Sequence, residues 1–179
     1  MQKKNIHTNQ APAAIGPYVQ AVRVGDLIYT AGQGGLDPST GKLVEGGVET
    51  QAKQTMRNLE AVLAAAGSSF NHVVKTNIFL RYMKDFSAVN EVYASYFKDQ
   101  FPARSTVAVS ALPMAALVEI EMVALVVETD TQEVSTSLLV IDTEESEEKK
   151  ASKKEAAPKS NKGKKRTKKS KPKKKKGKK

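Results

Sequence analysis

The chain has 179 residues, a length that favours one domain plus an appendage, and it contains no cysteine, which excludes disulfides, a thiolate nucleophile and thiolate metal sites. Its formal net charge of +10 is unevenly placed: residues 1–129 carry 11 Lys+Arg against 11 Asp+Glu, and residues 130–179 carry 18 against 8. The basic character therefore belongs to the C-terminal end, behind a neutral domain long enough to bury roughly two thirds of its unfolded surface.

Residues 19–24 and 27–31 read as two strands around Gly25-Asp26, a two-residue hairpin signal. Gly32-Gln33-Gly34-Gly35 and Asp37-Pro38-Ser39-Thr40-Gly41 then read as loop and turn. Residues 48–66 form the strongest helix pattern, with Ala52, Met56, Leu59 and Leu63 on one face and Gly67 placed to end it. A strand is expected over 72–82 and a second helix over 86–97, with Asp85 as its N-cap and Phe86, Val89 and Tyr93 in its apolar stripe. Strands over 106–109 and 118–127 close the domain. This order predicts an α+β layer, a mixed sheet with two helices on one face. Val123, Leu125 and Val127 share the uncovered face of the last strand with Glu119 and Glu121, so self-association through facing sheets is expected. His7 and His72 lack metal-ligand spacing, and a zinc site is not expected. No apolar run approaches the ~20 residues of a membrane span, and no signal-peptide stretch is read at the N-terminus.

Two charges stand in apolar surroundings. Arg104 lies in Phe101-Pro102-Ala103-Arg104-Ser105-Thr106-Val107, and Glu119 in Val118-Glu119-Ile120-Glu121-Met122. A guanidinium in such a place grips a carboxylate with two parallel hydrogen bonds, and a carboxylate moves a proton or orients a water. The pair thus reads as a small site for an acidic metabolite. The same residues also fit a structural ion pair of Arg104 with Glu119 or Glu121, since buried charges are usually paired. Gly32-x-Gly34 follows a strand but opens no helix and lacks a third glycine, which excludes a dinucleotide loop. Tyr18 and Asn90 are candidates for a cleft, or simply a strand-edge aromatic and a partly exposed polar residue.

Set side by side, Ala11-Pro12-Ala13-Ala14-Ile15-Gly16-Pro17-Tyr18-Val19-Gln20, Ala31-Gly32-Gln33, Val74-Lys75-Thr76, Asp85-Phe86-Ser87-Ala88-Val89-Asn90, Phe101-Pro102-Ala103-Arg104-Ser105 and Glu119-Ile120-Glu121 closely resemble the RidA family, also called YjgF. The order and spacing fit from about residue 6 to 127, and the arginine places the resemblance nearest the deaminating branch. The resemblance implies a chorismate-mutase-like α+β fold and a homotrimer with sites in the clefts between subunits. It implies hydrolysis of reactive enamines and imines, such as 2-aminoacrylate and 2-iminobutanoate, to 2-oxo acids and ammonia, with no cofactor. Arg104 would hold the substrate carboxylate, and Glu119 would steer water onto the imine carbon. The main chain at Thr106 would contact the imine nitrogen or the water, Tyr18 and Asn90 would shape the pocket, and Gly32 would let the backbone approach the ligand. Glu121 is expected to support rather than catalyse. The chain departs from the family at Ala31, often serine, at Thr106, often cysteine, and in Leu112-Pro113-Met114-Ala115-Ala116, which lacks the lysine common after that proline. The last departure bears on substrate preference. Some relatives are described as endoribonucleases or translation inhibitors, so an RNA-binding role is the rival reading.

Residues 149–179 hold 18 Lys+Arg and one acid, Glu155, and are expected to be a disordered tail. Lys164-Lys165-Arg166-Thr167-Lys168-Lys169 fits an import-receptor signal or a nucleic-acid contact, giving a cytoplasmic protein with a nuclear option. Residues 130–148 read as a linker. Within it, Leu138-Leu139-Val140-Ile141 followed by the acids up to Glu148 resembles a SUMO-interacting motif, which adds a strand to a partner sheet.

Overall fold

The structure, a computed structural model, describes residues 2–98 and 100–127. The tail, import, nucleic-acid and SUMO readings of 130–179 lie outside the described residues.

The Gly25-Asp26 signal is realised as a hairpin. Strands β2 (Ala21–Val24) and β3 (Leu27–Thr30) pair antiparallel with Val24 opposite Leu27. Gly25 has φ 58°, the left-handed value that the first position of such a tight turn favours in glycine. Ahead of them lies β1 (Lys3–Ile6), which pairs antiparallel with β2 and was not expected. Only Ile6 of its four residues is buried, so it carries no alternating pattern. Another strand, β4 (Gln33–Gly34), occupies the stretch read as loop and pairs with the last strand opposite Ile120 and Glu119.

Helix α1 (Val48–Ala65) buries Ala52, Met56, Leu59 and Leu63, as the spacing predicts, and adds Gln51, Thr55, Asn58 and Val62. Gly67 ends it with φ 80°, its N–H donating to Ala64 O while Ser68 N–H donates to Leu63 O. These two bonds satisfy carbonyls that would otherwise lack a partner at the helix end. A 3-10 turn (Phe70–His72) leads into β5 (Val73–Leu80), so His72 precedes the strand rather than starting it.

Helix α2 (Phe86–Ala94) stops three residues earlier than expected, and Asp85 does not cap it. Asp85 has right-handed helical backbone angles and makes no side-chain cap bond, because a 3-10 turn (Met83–Asp85) runs straight into the helix. Tyr96 and Phe97 follow the helix, where Phe97 packs 4.7 Å from the Tyr93 ring and 5.6 Å from Phe70. The last strands are β6 (Ala103–Ala108), three residues longer at its start than expected, and β7 (Val118–Leu125).

The sheet is mixed, in the order β1-β2-β3-β7-β5-β6, with β4 also on β7. Only β5 and β6 run parallel, joined by α2. Val118, Ile120, Met122 and Ala124 of β7 and Thr76, Ile78 and Leu80 of β5 bury one face against both helices. The opposite face carries Tyr29, Lys75, Asn77, Glu119, Glu121, Val123 and the exposed Leu125. The expected α+β arrangement, two helices on one face, is the one observed.

Candidate active site

Glu119 sits on the uncovered face of β7, between Val118 and Ile120, which point into the core. Its carboxyl lines a cavity of about 90 Å³ with Pro12, Ala13, Ile15, Tyr18, Leu36, Met114 and Ala116. Burial, reinforced by the like charge of Glu121, holds its pKa above the ordinary glutamate value. Glu121 differs: its carboxylate accepts a hydrogen bond of 2.8 Å from Asn77 Nδ2.

Gly32 lies directly beneath this carboxyl. A Cβ built on Gly32 would fall 2.8 Å from Glu119 Cδ and closer still to Oε1. The missing side chain lets Glu119 sit against this backbone, and Gly32 itself borders the cavity. Gly35, three residues on, lets α1 approach: a Cβ there would meet Gln51 Cα at 2.7 Å. The Gln51 side chain in turn accepts a bond of 2.8 Å from Leu117 N–H, pinning the chain just before β7.

The wall that carries Tyr18 has little strand pairing of its own. Gln20, buried to 1 % exposure, fastens it. Its Oε1 accepts from Thr8 N–H at 2.7 Å, and its Nε2 donates to the carbonyls of Thr8, Ala11 and Pro12. Tyr18 is half exposed, and its hydroxyl accepts from Ile15 N–H at 3.4 Å.

Arg104 belongs to a different neighbourhood. In register it lies beside Thr76, which lies beside Met122, and both of these face the helices. Arg104 therefore projects toward the helix side of the sheet, opposite to Glu119. Its guanidinium stands 4.9 Å from the Tyr93 ring centroid and 5.9 Å from that of Phe86. It lines an open recess of about 380 Å³ with Asn90, Tyr93, Ala94, Phe101 and Pro102, none of them acidic. Tyr93 is held in turn by a hydrogen bond from its hydroxyl to Thr76 Oγ1 at 3.1 Å.

The single chain thus brings Glu119, Tyr18 and Gly32 together in one cavity and Arg104 and Asn90 together in another. It does not unite Arg104 with Glu119, in a shared pocket or as the ion pair that sequence spacing allowed. Thr106 projects to the helix side two residues beyond Arg104, and its Oγ1 is buried without a hydrogen-bond partner among the described residues. Its strand, β6, is the outer strand of the sheet, so half of its main-chain groups have no strand beside them.

A family profile described as Endoribonuclease L-PSP matches residues 8–126, most of the described chain. The chain belongs to the RidA family. It is 55 % identical over 122 residues to mouse 2-iminobutanoate/2-iminopropanoate deaminase, covering 68 % of this chain and 90 % of that relative. Among solved structures, the Yersinia pestis Rid-family protein YyfA superposes with a TM-score of 0.68 at 50 % identity, over 70 % of this chain and all of that one. Escherichia coli TdcF, solved with bound serine, superposes with a TM-score of 0.66 at 39 % identity, over 68 % of this chain and 98 % of that one. Tyr18, Gly32, Asn90, Arg104, Thr106 and Glu119 all fall inside the matched RidA segment. Sequence reasoning missed Gln20, Gln51 and Tyr93 as supports of the site. A buried glutamine leaves no periodic signal, and the ring beneath Arg104 read only as part of a helix stripe.

Proposed function

We propose that the protein hydrolyses 2-imino acids and the enamines that tautomerise to them, giving 2-oxo acids and ammonia. The observation that carries this reading is Glu119: a half-buried carboxyl with no cation beside it among the described residues, lining a small cavity, in a chain 55 % identical to mouse 2-iminobutanoate/2-iminopropanoate deaminase. Water attacks C2 of the imine, Glu119 takes its proton, and the C=N electron pair moves to nitrogen. Glu119 then returns the proton to nitrogen. Glu119 next carries the hydroxyl proton of the resulting carbinolamine to its nitrogen, the C–N bond breaks, the C=O bond forms, and ammonia and the 2-oxo acid leave. Arg104 binds the substrate carboxylate, and Tyr18, Asn90 and the Thr106 main chain border the ligand. The serine in TdcF supports this, because an amino acid presents the same carboxylate and α-nitrogen as a 2-imino acid.

Because Arg104 and Glu119 lie on opposite faces of one sheet, the reading requires two copies. The protein is a homotrimer in which Arg104 of one subunit meets Glu119 of the next. The uncovered sheet face supports this, since Tyr29, Val123 and Leu125 lie there. The test couples threonine dehydratase to the full chain and follows 2-oxobutanoate release. A rate unchanged by the protein would refute the reading.

A second reading, favoured by the name of the family profile and by the 18 Lys+Arg in residues 149–179, is RNA binding. Affinity carried by that segment falls steeply with salt and is lost when it is deleted, whereas deaminase activity survives. The same deletion in a fluorescent fusion tests whether the segment moves the protein from cytoplasm to nucleus.

A further inference from the structure

The loop before β7 has an unusual backbone. Met114 has φ 54° and ψ 22°, and Ala115 has φ 59°, two successive left-handed residues neither of which is glycine. A Cβ disfavours that region, so the pair persists only because its surroundings fix it. The ends of the loop are fixed: Ala116 is buried and its N–H donates to Pro113 O, while Leu117 N–H donates to Gln51 and Leu117 O accepts from Arg81 N–H. Between these anchors the loop holds the Met114 side chain against the Glu119 cavity, where it also remains 48 % exposed.

Apart from Tyr18, Gln33 and Glu119, the side chains of that wall are apolar. Pro12, Ala13, Ile15, Leu36, Pro113 and Ala116 surround the carboxyl, and apart from the Tyr18 hydroxyl Glu119 is the only ionisable group of the lining. On this chain the cavity is small, about 90 Å³, and one of its walls can move to suit side chains of different length. Among the lining residues, methionine is suited to this, being unbranched, polarizable and able to rotate about three bonds.

We propose that Met114 is a specificity-determining residue of this site, an adaptable apolar wall that favours 2-imino acids with longer unbranched aliphatic side chains. The inference rests on the deaminase reading above. The strained loop is the segment that holds this half-exposed thioether against the cavity. Among the described residues of this lining, an acidic substrate side chain meets no cation and faces Glu119.

The test uses the full chain and imines generated in the cuvette by an amino-acid oxidase from 2-aminobutyrate, norleucine and glutamate. The quantity read is the ratio of kcat/KM for the norleucine-derived imine to that for the 2-aminobutyrate-derived one. Removing the thioether in Met114→Ala lowers this ratio about tenfold, the scale of a lost contact in an apolar pocket. Met114→Gln, of equal length but polar, lowers it too, and Met114→Leu stays within about threefold of the parent. The parent turns over the glutamate-derived imine poorest of the three. An unchanged ratio in both the Ala and Gln variants overturns the proposal, as does a parent that prefers the acidic imine. No turnover of any imine by the parent would instead sink the deaminase reading, and this inference with it.

Discussion

The two charged residues of the candidate site live in opposite kinds of surroundings. Glu119 is half-buried on the uncovered sheet face with apolar walls and a like charge nearby, and its proton is held more tightly than usual. Arg104 stands in an open recess on the helix side, propped against aromatic rings with no acid around it among the described residues. Each is an incomplete half. The carboxyl needs a cation or a polar ligand, and the guanidinium needs an anion. Geometry within one chain keeps them from serving each other, and the proposed site between two subunits rests on that contrast.

The strongest way to break that comparison is complementation. Arg104→Ala and Glu119→Gln each lower kcat/KM about 10³-fold or more, because each leaves a buried charge or a substrate carboxylate without its partner. Mixing the two inactive variants after joint refolding restores about a quarter of the sites, since one site in four of a randomly assorted ring pairs an intact arginine with an intact glutamate. Mixed oligomers without activity would place the whole site in one chain.

Gly32→Ala comes next. The new methyl group strikes the Glu119 carboxyl, which must swing aside, and displacement of that order costs about 100-fold in kcat/KM. The circular dichroism spectrum should stay native, and normal kinetics in this variant would mean that Glu119 has no fixed position to lose.

Tyr93→Leu removes the ring beneath Arg104 while keeping an apolar side chain. A lost cation–π contact at a partly desolvated site raises KM about threefold to tenfold with kcat little changed. Tyr93→Phe keeps the ring and should keep KM, though it loses the bond to Thr76 and about 1 kcal/mol of stability, read by urea unfolding.

The smallest effect is on pH dependence. The Glu119 pKa is raised by burial, so the contribution of this residue to stability is full below the ordinary glutamate value and is lost as pH rises through the raised one. Glu119→Gln should therefore gain in Tm over the parent at pH 8 and lose that advantage near pH 4. If a partner's Arg104 approaches Glu119 in the assembly, Arg104→Ala raises the Glu119 pKa further, which carboxyl NMR detects. An identical titration in both proteins would separate the two halves for good.

Local signals in the sequence were dependable where one residue decides the geometry. Gly25 marked the hairpin and Gly67 the end of α1, each through a positive φ that other residues resist. The alternation of Val118, Ile120 and Met122 correctly set Glu119 and Glu121 on the other face. Signals failed where the decision is made elsewhere. Strand β4 pairs through its backbone, and its two residues carry no pattern to read. Asp85 has the chemistry of a cap, yet the 3-10 turn before it supplies the helix entry instead. Most instructive is Arg104: the sequence shows that it sits on a strand, but its face depends on the register of β6 against β5, a contact between residues 28 apart such as Thr76 and Arg104. That register is set by packing, and it places the arginine on the face opposite to Glu119.

The amide of Gln20 is a fastener whose polarity cannot be reversed. Its nitrogen faces three carbonyl oxygens. Deamidation, the slow ageing reaction that turns glutamine into glutamate, would aim a negative oxygen at all three and let residues 8–18 peel from the domain. The protein would then lose one wall of its cavity, and Ala11 from its core, while the helices and sheet stayed packed, and an old sample would be folded but inactive.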